Sequence, residues 1–240
     1  AKYVDENKNS YEGIWNMGVR EGYGISVQND GSKYIGQWKN NMKNGEGADT
    51  DKDGYTLKGI FTDGYLEEDG TLYFPNKAVA YEGEFQKSKF HGLGEVFRGD
   101  GALIYSGSFI NGKYNGYGNL YMENNGYYYG YWKNGLRHTG HIKKDIDKDE
   151  DNNSPPINGG MANDARLHDE WEEEDEIVGE FRDGHGWVYS GEWINDERHG
   201  HGKLYDSSGA LVYDGKFVHN VASGKGQFYY NSTMMKGSDF

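Results

Sequence analysis

The sequence predicts an all-β fold, an elongated single-layer antiparallel meander of tandem β-hairpin repeats. Two short motifs that recur in a fixed phase predict this fold. The first is Tyr-x-Gly-x-Trp or Tyr-x-Gly-x-Phe, and the second is Gly-x-Gly, whose glycines follow the tyrosine by 11 and 13 residues. Chance does not explain two motifs that keep one phase over most of a chain, so the chain is a tandem repeat.

The first motif sets the length of the repeat. Successive copies begin 23 or 24 residues apart, except for one step of 61 residues, and a degenerate copy runs from Leu57 to Phe61. Each repeat is named by its first residue, and the seven regular copies begin at Tyr11, Tyr34, Tyr81, Tyr105, Tyr128, Tyr189 and Tyr213. The second motif occurs at Gly22/Gly24, Gly45/Gly47, Gly92/Gly94, Gly116/Gly118, Gly200/Gly202 and Gly224/Gly226.

Each repeat has the pattern of a β-hairpin. The residues of the first motif alternate with polar ones, which is the period of a strand. Turn sequences such as Asp63-Gly64, Asn111-Gly112 and Asn134-Gly135 follow, and they tolerate the positive φ that two-residue hairpin turns require. We expect the Gly-x-Gly segment to begin the second strand, which ends at a further turn.

The glycines and the aromatic residues together predict a thin core on one face of the sheet. The tyrosine and the Trp or Phe of the first motif share a face, because side chains alternate across a strand. Paired glycines on the neighbouring strand leave room for large rings, each of which buries ~150–250 Å². Such a core needs few aliphatic residues, and the chain is accordingly 15% aromatic but only 35% hydrophobic, with 38 glycines.

The two motifs closely resemble the MORN repeat (membrane occupation and recognition nexus). The segment Arg198-His199-Gly200-His201-Gly202 is similar to a frequent variant of that repeat, and the resemblance covers residues 1–141 and 177–240. The repeat occurs in radial spoke heads, junctophilins, plant phosphoinositide kinases, a histone methyltransferase and protist cytoskeletal scaffolds. The resemblance therefore implies the fold strongly, and it leaves several classes of function open.

The step of 61 residues divides the chain. We expect a repeat region of about six repeats over residues 1–141, an acidic and mobile insertion over 142–176, and a resumed repeat region over 177–240. The segment from Ile177 to Phe181 is expected to open a shortened hairpin. Both ends fall inside a repeat, since Ala1 begins where a preceding Gly-x-Gly would end, and this predicts a segment of a longer protein.

The insertion carries most of the net charge of −14. Residues 145–176 hold 13 acidic and 2 basic side chains, so the remaining chain has a net charge of only −3. The insertion is either a tolerated surface loop or an arm that binds a basic partner segment, and in the second case Glu172, Glu173 and Glu174 contribute to binding. An acidic chain with scattered lysines predicts no nucleic-acid partner.

Neither a catalytic site, a cofactor nor a metal is predicted. The segment from Asp49 to Gly54 matches half of a calcium loop, but Ile60 stands where the bidentate glutamate belongs. His199 and His201 are explained by the repeat better than by zinc. The Gly-x-Gly pairs enter strands, whereas the dinucleotide fingerprint opens a helix. The chain has no cysteine and no apolar run near the ~20 residues of a membrane span.

The leading hypothesis is a non-catalytic scaffold, a protein-interaction strip inside a larger intracellular assembly of the ciliary axoneme, such as the radial spoke, or of the cytoskeleton. An asparagine-rich composition slightly favours this hypothesis. Aromatic-lined sheets suit extended or helical peptides. The partner-binding residues predicted on this basis are Tyr34, Trp38, Tyr81, Phe85, Tyr105, Phe109, Tyr128 and Trp132.

Two alternatives remain open. The first is a membrane-phospholipid tether, which needs clustered basic residues. The lysines at the predicted hairpin turns are its candidates, namely Lys39, Lys43, Lys87, Lys89 and Lys133. The second is a targeting or regulatory arm of an enzyme whose catalytic domain lies outside these residues.

Overall fold

A computed structural model describes residues 2–139 and 178–229. The predicted insertion over 142–176, with Glu172, Glu173 and Glu174, lies outside the described residues. The chain divides into two compact units, residues 1–122 and residues 123–240. The described residues of both units form β-strands and no helix, so the all-β prediction is confirmed.

Unit 1 is a single-layer antiparallel meander in which each strand pairs with the next. Apart from the short first strand, the strands form five hairpins, one for each of the first five repeats. The strands are β1 (Lys2–Val4), β2 (Ser10–Asn16), β3 (Val19–Val27), β4 (Lys33–Lys39), β5 (Met42–Thr50), β6 (Thr56–Thr62), β7 (Tyr65–Tyr73), β8 (Val79–Gln86), β9 (Lys89–Phe97), β10 (Leu103–Ile110) and β11 (Lys113–Tyr121).

Unit 2 is built in the same way, with one strand in two pieces. Its strands are β12 (Tyr127–Lys133), β13 (Leu136–Arg137), β14 (Gly179–Arg182), β15 (Val188–Ile194), β16 (Glu197–Tyr205), β17 (Leu211–Val218) and β18 (Val221–Phe228). From β14 to β18 each strand pairs antiparallel with the next.

The interruption splits the second strand of the Tyr128 repeat. Both β13 and β14 pair with β12, β13 at Trp132 and Lys133 and β14 at the residues from Tyr127 to Tyr129. The expected shortened hairpin is present, since Gly179–Arg182 pairs with Val188–Ile194 across a turn that begins at Asp183. The sequence did not predict that the same strand also completes the hairpin that Tyr128 begins. A Cβ on Gly179 would lie 2.6 Å from the hydroxyl oxygen of Tyr128, the contact that a Gly-x-Gly glycine makes in other repeats.

The hairpin turns have the conformation that their sequence predicts. Asp63 has a φ of 50° and Gly64 of 94°, and Asn111 and Gly112 have φ values of 52° and 79°. Two consecutive residues with positive φ give a turn whose twist matches that of the flanking strands. The turn chemistry thus fixes where each hairpin reverses.

The first glycine of Gly-x-Gly has a different role from the predicted one. In the Tyr11 repeat the second strand begins at Val19, before the motif, and Gly22 has a φ of 61° in the middle of the strand. The pairing shifts there, since Gly13 pairs with Gly24 and Ile14 with Glu21. The motif therefore marks a β-bulge within the strand, and the expectation that it begins the strand is wrong.

The second glycine lies in a continuous row across unit 1. Each repeat contributes the middle glycine of its first motif and the second glycine of Gly-x-Gly, and the strand register places them side by side. The row is Gly13, Gly24, Gly36, Gly47, Gly59, Gly70, Gly83, Gly94, Gly107 and Gly118. A Cβ on Gly24 would lie 2.2 Å from the hydroxyl oxygen of Tyr11, so only glycine admits the ring.

Candidate interaction surface

The predicted aromatic residues form the interior of each unit. Tyr34, Trp38, Tyr81, Phe85, Tyr105, Phe109, Tyr128 and Trp132 are each between 0 and 6% exposed. Each tyrosine makes edge-to-face contacts along the row, as Tyr34 does with Trp38 and Phe61, both at 5.2 Å between ring centroids. Their part in partner binding stays a prediction. Because the rings are buried, they can act on a partner only indirectly, by positioning the strands whose exposed side chains would contact it.

The tyrosine hydroxyls donate hydrogen bonds to backbone carbonyl groups at the bulges. The hydroxyl of Tyr81 donates to the carbonyl oxygen of Glu84 at 2.9 Å, and that of Tyr189 to the carbonyl of Glu192 at 2.9 Å. The same bond, from the tyrosine to the third residue after it, recurs in the other regular repeats. Burial raises the pKa of Tyr81 and Tyr189, so the phenols stay neutral.

A third repeated position covers the tyrosine ring, and sequence reasoning missed it. It lies nine residues after the tyrosine. In the Tyr11 repeat the guanidinium of Arg20 lies 5.6 Å from the ring centroid of Tyr11 and 4.1 Å from that of Trp38 in the next repeat. In the Tyr128 repeat Arg137 lies 5.7 Å from Tyr128 and 4.4 Å from Trp193. In the middle of unit 1 the cover is aromatic, since Phe90 stacks on Tyr81 with 3.7 Å between centroids.

The identity of this ninth residue explains why it escaped notice. It is Arg, Lys, Leu, Phe, Tyr, Arg, Arg and Ala in the eight repeats, so no single residue type repeats. The shared property is a side chain that can lie on a ring, through a cation or through apolar surface. An acidic residue never occupies it, which is the one signal that the sequence offers.

The hairpin turns bind each repeat to the preceding one. The amide of Asn41 donates to the carbonyl of Arg20 at 3.2 Å, and the side chain of Asn41 accepts from the amide of Arg20 at 2.9 Å. Arg198 and Asn220 make the same reciprocal pair in unit 2. The hairpin turn of one repeat thus contacts the ring-covering residue of the preceding repeat at one edge of the sheet, which we call the hairpin edge.

The hairpin edge of unit 1 is basic and partly apolar. Met17, at the first turn, is 99% exposed, and Met42, Tyr65 and Ile110 beside later turns are exposed as well. Lys39, Lys87, Lys89 and Lys113 are exposed on the same edge. Lys43, another predicted lysine, instead pairs with Asp49 below the ring of Tyr34. Lysines and large apolar side chains are therefore interspersed along this edge, with an exposed acid, Asp63, at the third turn.

The face of unit 1 that points away from the rings, the ring-free face, is acidic and carries exposed apolar residues. This face carries the residues that directly precede or follow each glycine of the row, because successive residues of a strand point to opposite faces of the sheet. Glu46 lies opposite Ile60, and Asp69 lies opposite Glu84, on neighbouring strands. The centre of this face consists of Glu46, Ile60, Asp69, Glu82, Leu93 and Glu95, all exposed.

The acidic turn residues act within the turns. Oδ1 of Asp51, from the half calcium loop, accepts the amides of Asp53 and Tyr55, each at 2.9 Å. Asp206 accepts the amides of Ser208 and Ala210 in the same way, so the arrangement belongs to the turn. Across residues 2–139 and 178–229, no three His, Cys, Asp or Glu side chains are placed to hold a metal ion. The same residues include no helix able to cross a membrane.

These features define a class of protein, the β-hairpin repeat whose glycine row and tyrosine ladder form the core. The family model of the MORN repeat matches residues 11–33, 34–48, 81–102, 105–127, 128–138, 189–210 and 213–234. The matches cover more than half of the chain, and the chain belongs to the MORN repeat family. Such repeats are generally non-catalytic modules with a protein-interaction or membrane-binding role. A search of the curated proteins finds no match.

Proposed function

We propose that the protein is a non-catalytic scaffold that binds other proteins inside a larger assembly of the ciliary axoneme or the cytoskeleton. The observation that carries the proposal is the division of labour within each repeat. In most repeats the glycines, the tyrosine and the residue nine positions after the tyrosine form the core, whereas the exposed residues differ from repeat to repeat. An active site is made once, but a strip of similar repeats with varied exposed residues presents a series of contact points.

Two further observations support the placement in an assembly. The ring-free face and the hairpin edge of unit 1 differ in charge, so the sheet offers two chemically distinct surfaces to different neighbours. The repeats of this family also occur in radial spoke heads and protist cytoskeletal scaffolds, which are large protein assemblies.

The test is extraction and cross-linking in the source cells. The tagged full chain is expected to stay with the detergent-insoluble cytoskeletal or axonemal fraction and to cross-link to proteins of that fraction through lysines of unit 1. A chain with Gly94→Ala, which disturbs the core, serves as the control and should lose these partners. Quantitative release by mild detergent, without cytoskeletal partners, would contradict the proposal.

The hairpin edge favours membrane binding as a second candidate. Exposed methionine, tyrosine and isoleucine beside lysines can enter the headgroup region while the lysines meet anionic lipids. Flotation with phosphatidylcholine vesicles, with and without phosphatidylserine, tests it. Binding should require phosphatidylserine and fall in Lys87→Glu/Lys89→Glu, whereas Lys8→Glu/Lys52→Glu, at the other edge, should bind normally. Equal loss in both variants would argue against an edge-specific site.

A further inference from the structure

The ring-free face of unit 1 exposes apolar side chains that no part of the described chain covers. Ile60 on β6 is 49% exposed, and Leu93 on β9 is 51% exposed. Side chains on one face of a sheet lie within reach of those on the next strands, which are ~4.8 Å apart. Ile60 and Leu93 lie three strands apart, about 14 Å, so they offer two separate apolar contact points on an otherwise polar face.

The same face holds like charges directly opposite each other. Asp69 on β7 pairs with Glu84 on β8, and Glu82 on β8 pairs with Glu95 on β9. Like charges in directly opposed cross-strand positions are destabilising. Among the described residues none of these four carboxylates takes part in an ion pair.

In the described part of the chain, only two of these four carboxylates accept hydrogen bonds from neighbouring residues. The carboxylate of Glu84 accepts the amide of Leu93 at 2.8 Å and so supports the bulge, and Glu95 accepts the hydroxyl of Ser106 at 3.2 Å. Lys58 lies in the same row of the face, but its ammonium group lies 4.8 Å from the ring centroid of Tyr73. Asp69, Glu82 and the exposed Glu46 therefore keep their carboxylates directed to solvent.

We propose that this face, centred on Glu46, Ile60, Asp69, Glu82, Leu93 and Glu95, binds a basic amphipathic segment of a partner protein. Lysine or arginine side chains relieve the repulsion between the paired carboxylates, and apolar side chains cover Ile60 and Leu93. The proposal rests on the proposed scaffold function and names the chemistry of one of its partners. The core and the hairpin edge are not part of this site.

A helical segment matches the spacing of the face. One turn of helix advances ~5.4 Å, close to the ~4.8 Å between strands. A helix that crosses the strands places about one side chain on each strand it passes. A segment of about 14 residues is roughly 21 Å long and reaches across the strands from β5 to β9.

The test uses the full chain and a synthetic amphipathic helical peptide of about 14 residues made of lysine and leucine. Fluorescence anisotropy should detect binding that weakens with salt, whereas a glutamate–leucine peptide and a lysine–serine peptide of the same length should bind poorly. Charge reversal in Glu46→Lys/Glu95→Lys should weaken the lysine–leucine peptide by about tenfold or more. Ile60→Thr/Leu93→Thr should weaken it as well, without changing the salt dependence.

Two matched controls make the result decisive. Glu6→Lys/Asp53→Lys changes the net charge equally at the opposite edge and should leave affinity within about twofold. Replacement of the acidic run at residues 172–176 by Gln and Asn tests whether the insertion binds the peptide instead. If the variant with residues 172–176 replaced lost peptide binding while Glu46→Lys/Glu95→Lys kept it, the ring-free face would not be the binding site. The proposed scaffold function would be unaffected by that result. Binding at the face by a chain that captures no cellular partner would instead count against the scaffold function.

Discussion

Leu66 rests on Gly70 so closely that a Cβ on that glycine would lie 2.6 Å from Cδ2 of the leucine. In regular repeats a tyrosine ring lies over this glycine, but the Leu57 repeat has leucine in the tyrosine position. Leu66 occupies the position of the ring cover and is fully buried. It also lies 2.6 Å from a Cβ on Gly59, so it takes the ring's place over both glycines of the repeat.

The first prediction concerns this exchange. Leu57→Tyr should destabilise unit 1 by about 1–3 kcal/mol, because the new ring needs the space that Leu66 fills. The double variant Leu57→Tyr/Leu66→Lys recreates the combination of Tyr34 and Lys43 and should recover most of the loss. Urea unfolding of the three chains measures the coupling. Additive effects of the two substitutions would show that Leu66 does not replace the ring.

The second prediction separates two glycines of one region. Gly94→Ala should destabilise unit 1 by about 1–3 kcal/mol, because its Cβ would lie 2.3 Å from the hydroxyl oxygen of Tyr81 and backbone must move. Gly99→Ala is the control, since the nearest atom to its Cβ, in Asn76, is 3.9 Å away. The urea midpoints of the two variants should differ clearly. Equal midpoints would mean that the ring yields at little cost.

The third prediction concerns the bulge of the Leu57 repeat. Glu68 has a φ of 61° where regular repeats have the first glycine of Gly-x-Gly. Because the left-handed conformation costs a non-glycine residue about 1–2 kcal/mol, Glu68→Gly should stabilise unit 1 by about 1 kcal/mol. Thr71→Gly, on the same strand and outside the positive-φ region, should destabilise it. A shift of the thermal midpoint in the same direction for both would rule out conformational strain at Glu68.

The fourth prediction follows from the buried phenols. Burial raises the pKa of Tyr34, Tyr81 and Tyr128 above the usual value of about 10. The unfolded chain releases these protons first, so the stabilisation is complete below pH ~10 and is lost as the pH rises toward the folded-state pKa. Phenolate absorbance during alkaline titration should rise in two phases, with exposed tyrosines such as Tyr65 ionising first and the buried phenols ionising only together with unfolding. Early ionisation of every tyrosine in a chain that stays folded would contradict the burial.

Much of the fold follows from the sequence because its rules are local. A turn such as Asp63-Gly64 is set by two adjacent residues, and the tyrosine and glycine of one motif meet on one strand. The bulge at Gly22 could not be predicted in this way, since the register shift appears only when two strands are paired. The division of one strand into β13 and β14 escaped for the same reason, because only the pairing of both pieces with β12 shows that they belong to one hairpin.

The surface was harder to predict than the core. The aromatic residues chosen as partner-binding positions, such as Tyr81 and Phe85, repeat because packing requires them, and repetition drew attention to them. The exposed positions proposed to bind partners vary between repeats and therefore carry no periodic signal. The repeat spacing does not predict the strand register that places Glu82 opposite Glu95. The charge pairs of the ring-free face could therefore be identified only from the structure.

The reciprocal bonds at the hairpin edge have a mechanical consequence. In unit 1 each strand is bonded to the strands before and after it, so tension along the stack opens bonds one strand pair at a time, as in a zipper. The pair formed by Arg20 and Asn41 adds a side-chain bond where a repeat would begin to separate. Each repeat that yields releases a chain of 23 or 24 residues, about 80 Å when extended. We therefore expect unit 1 to lengthen under load by about 80 Å for each repeat that opens.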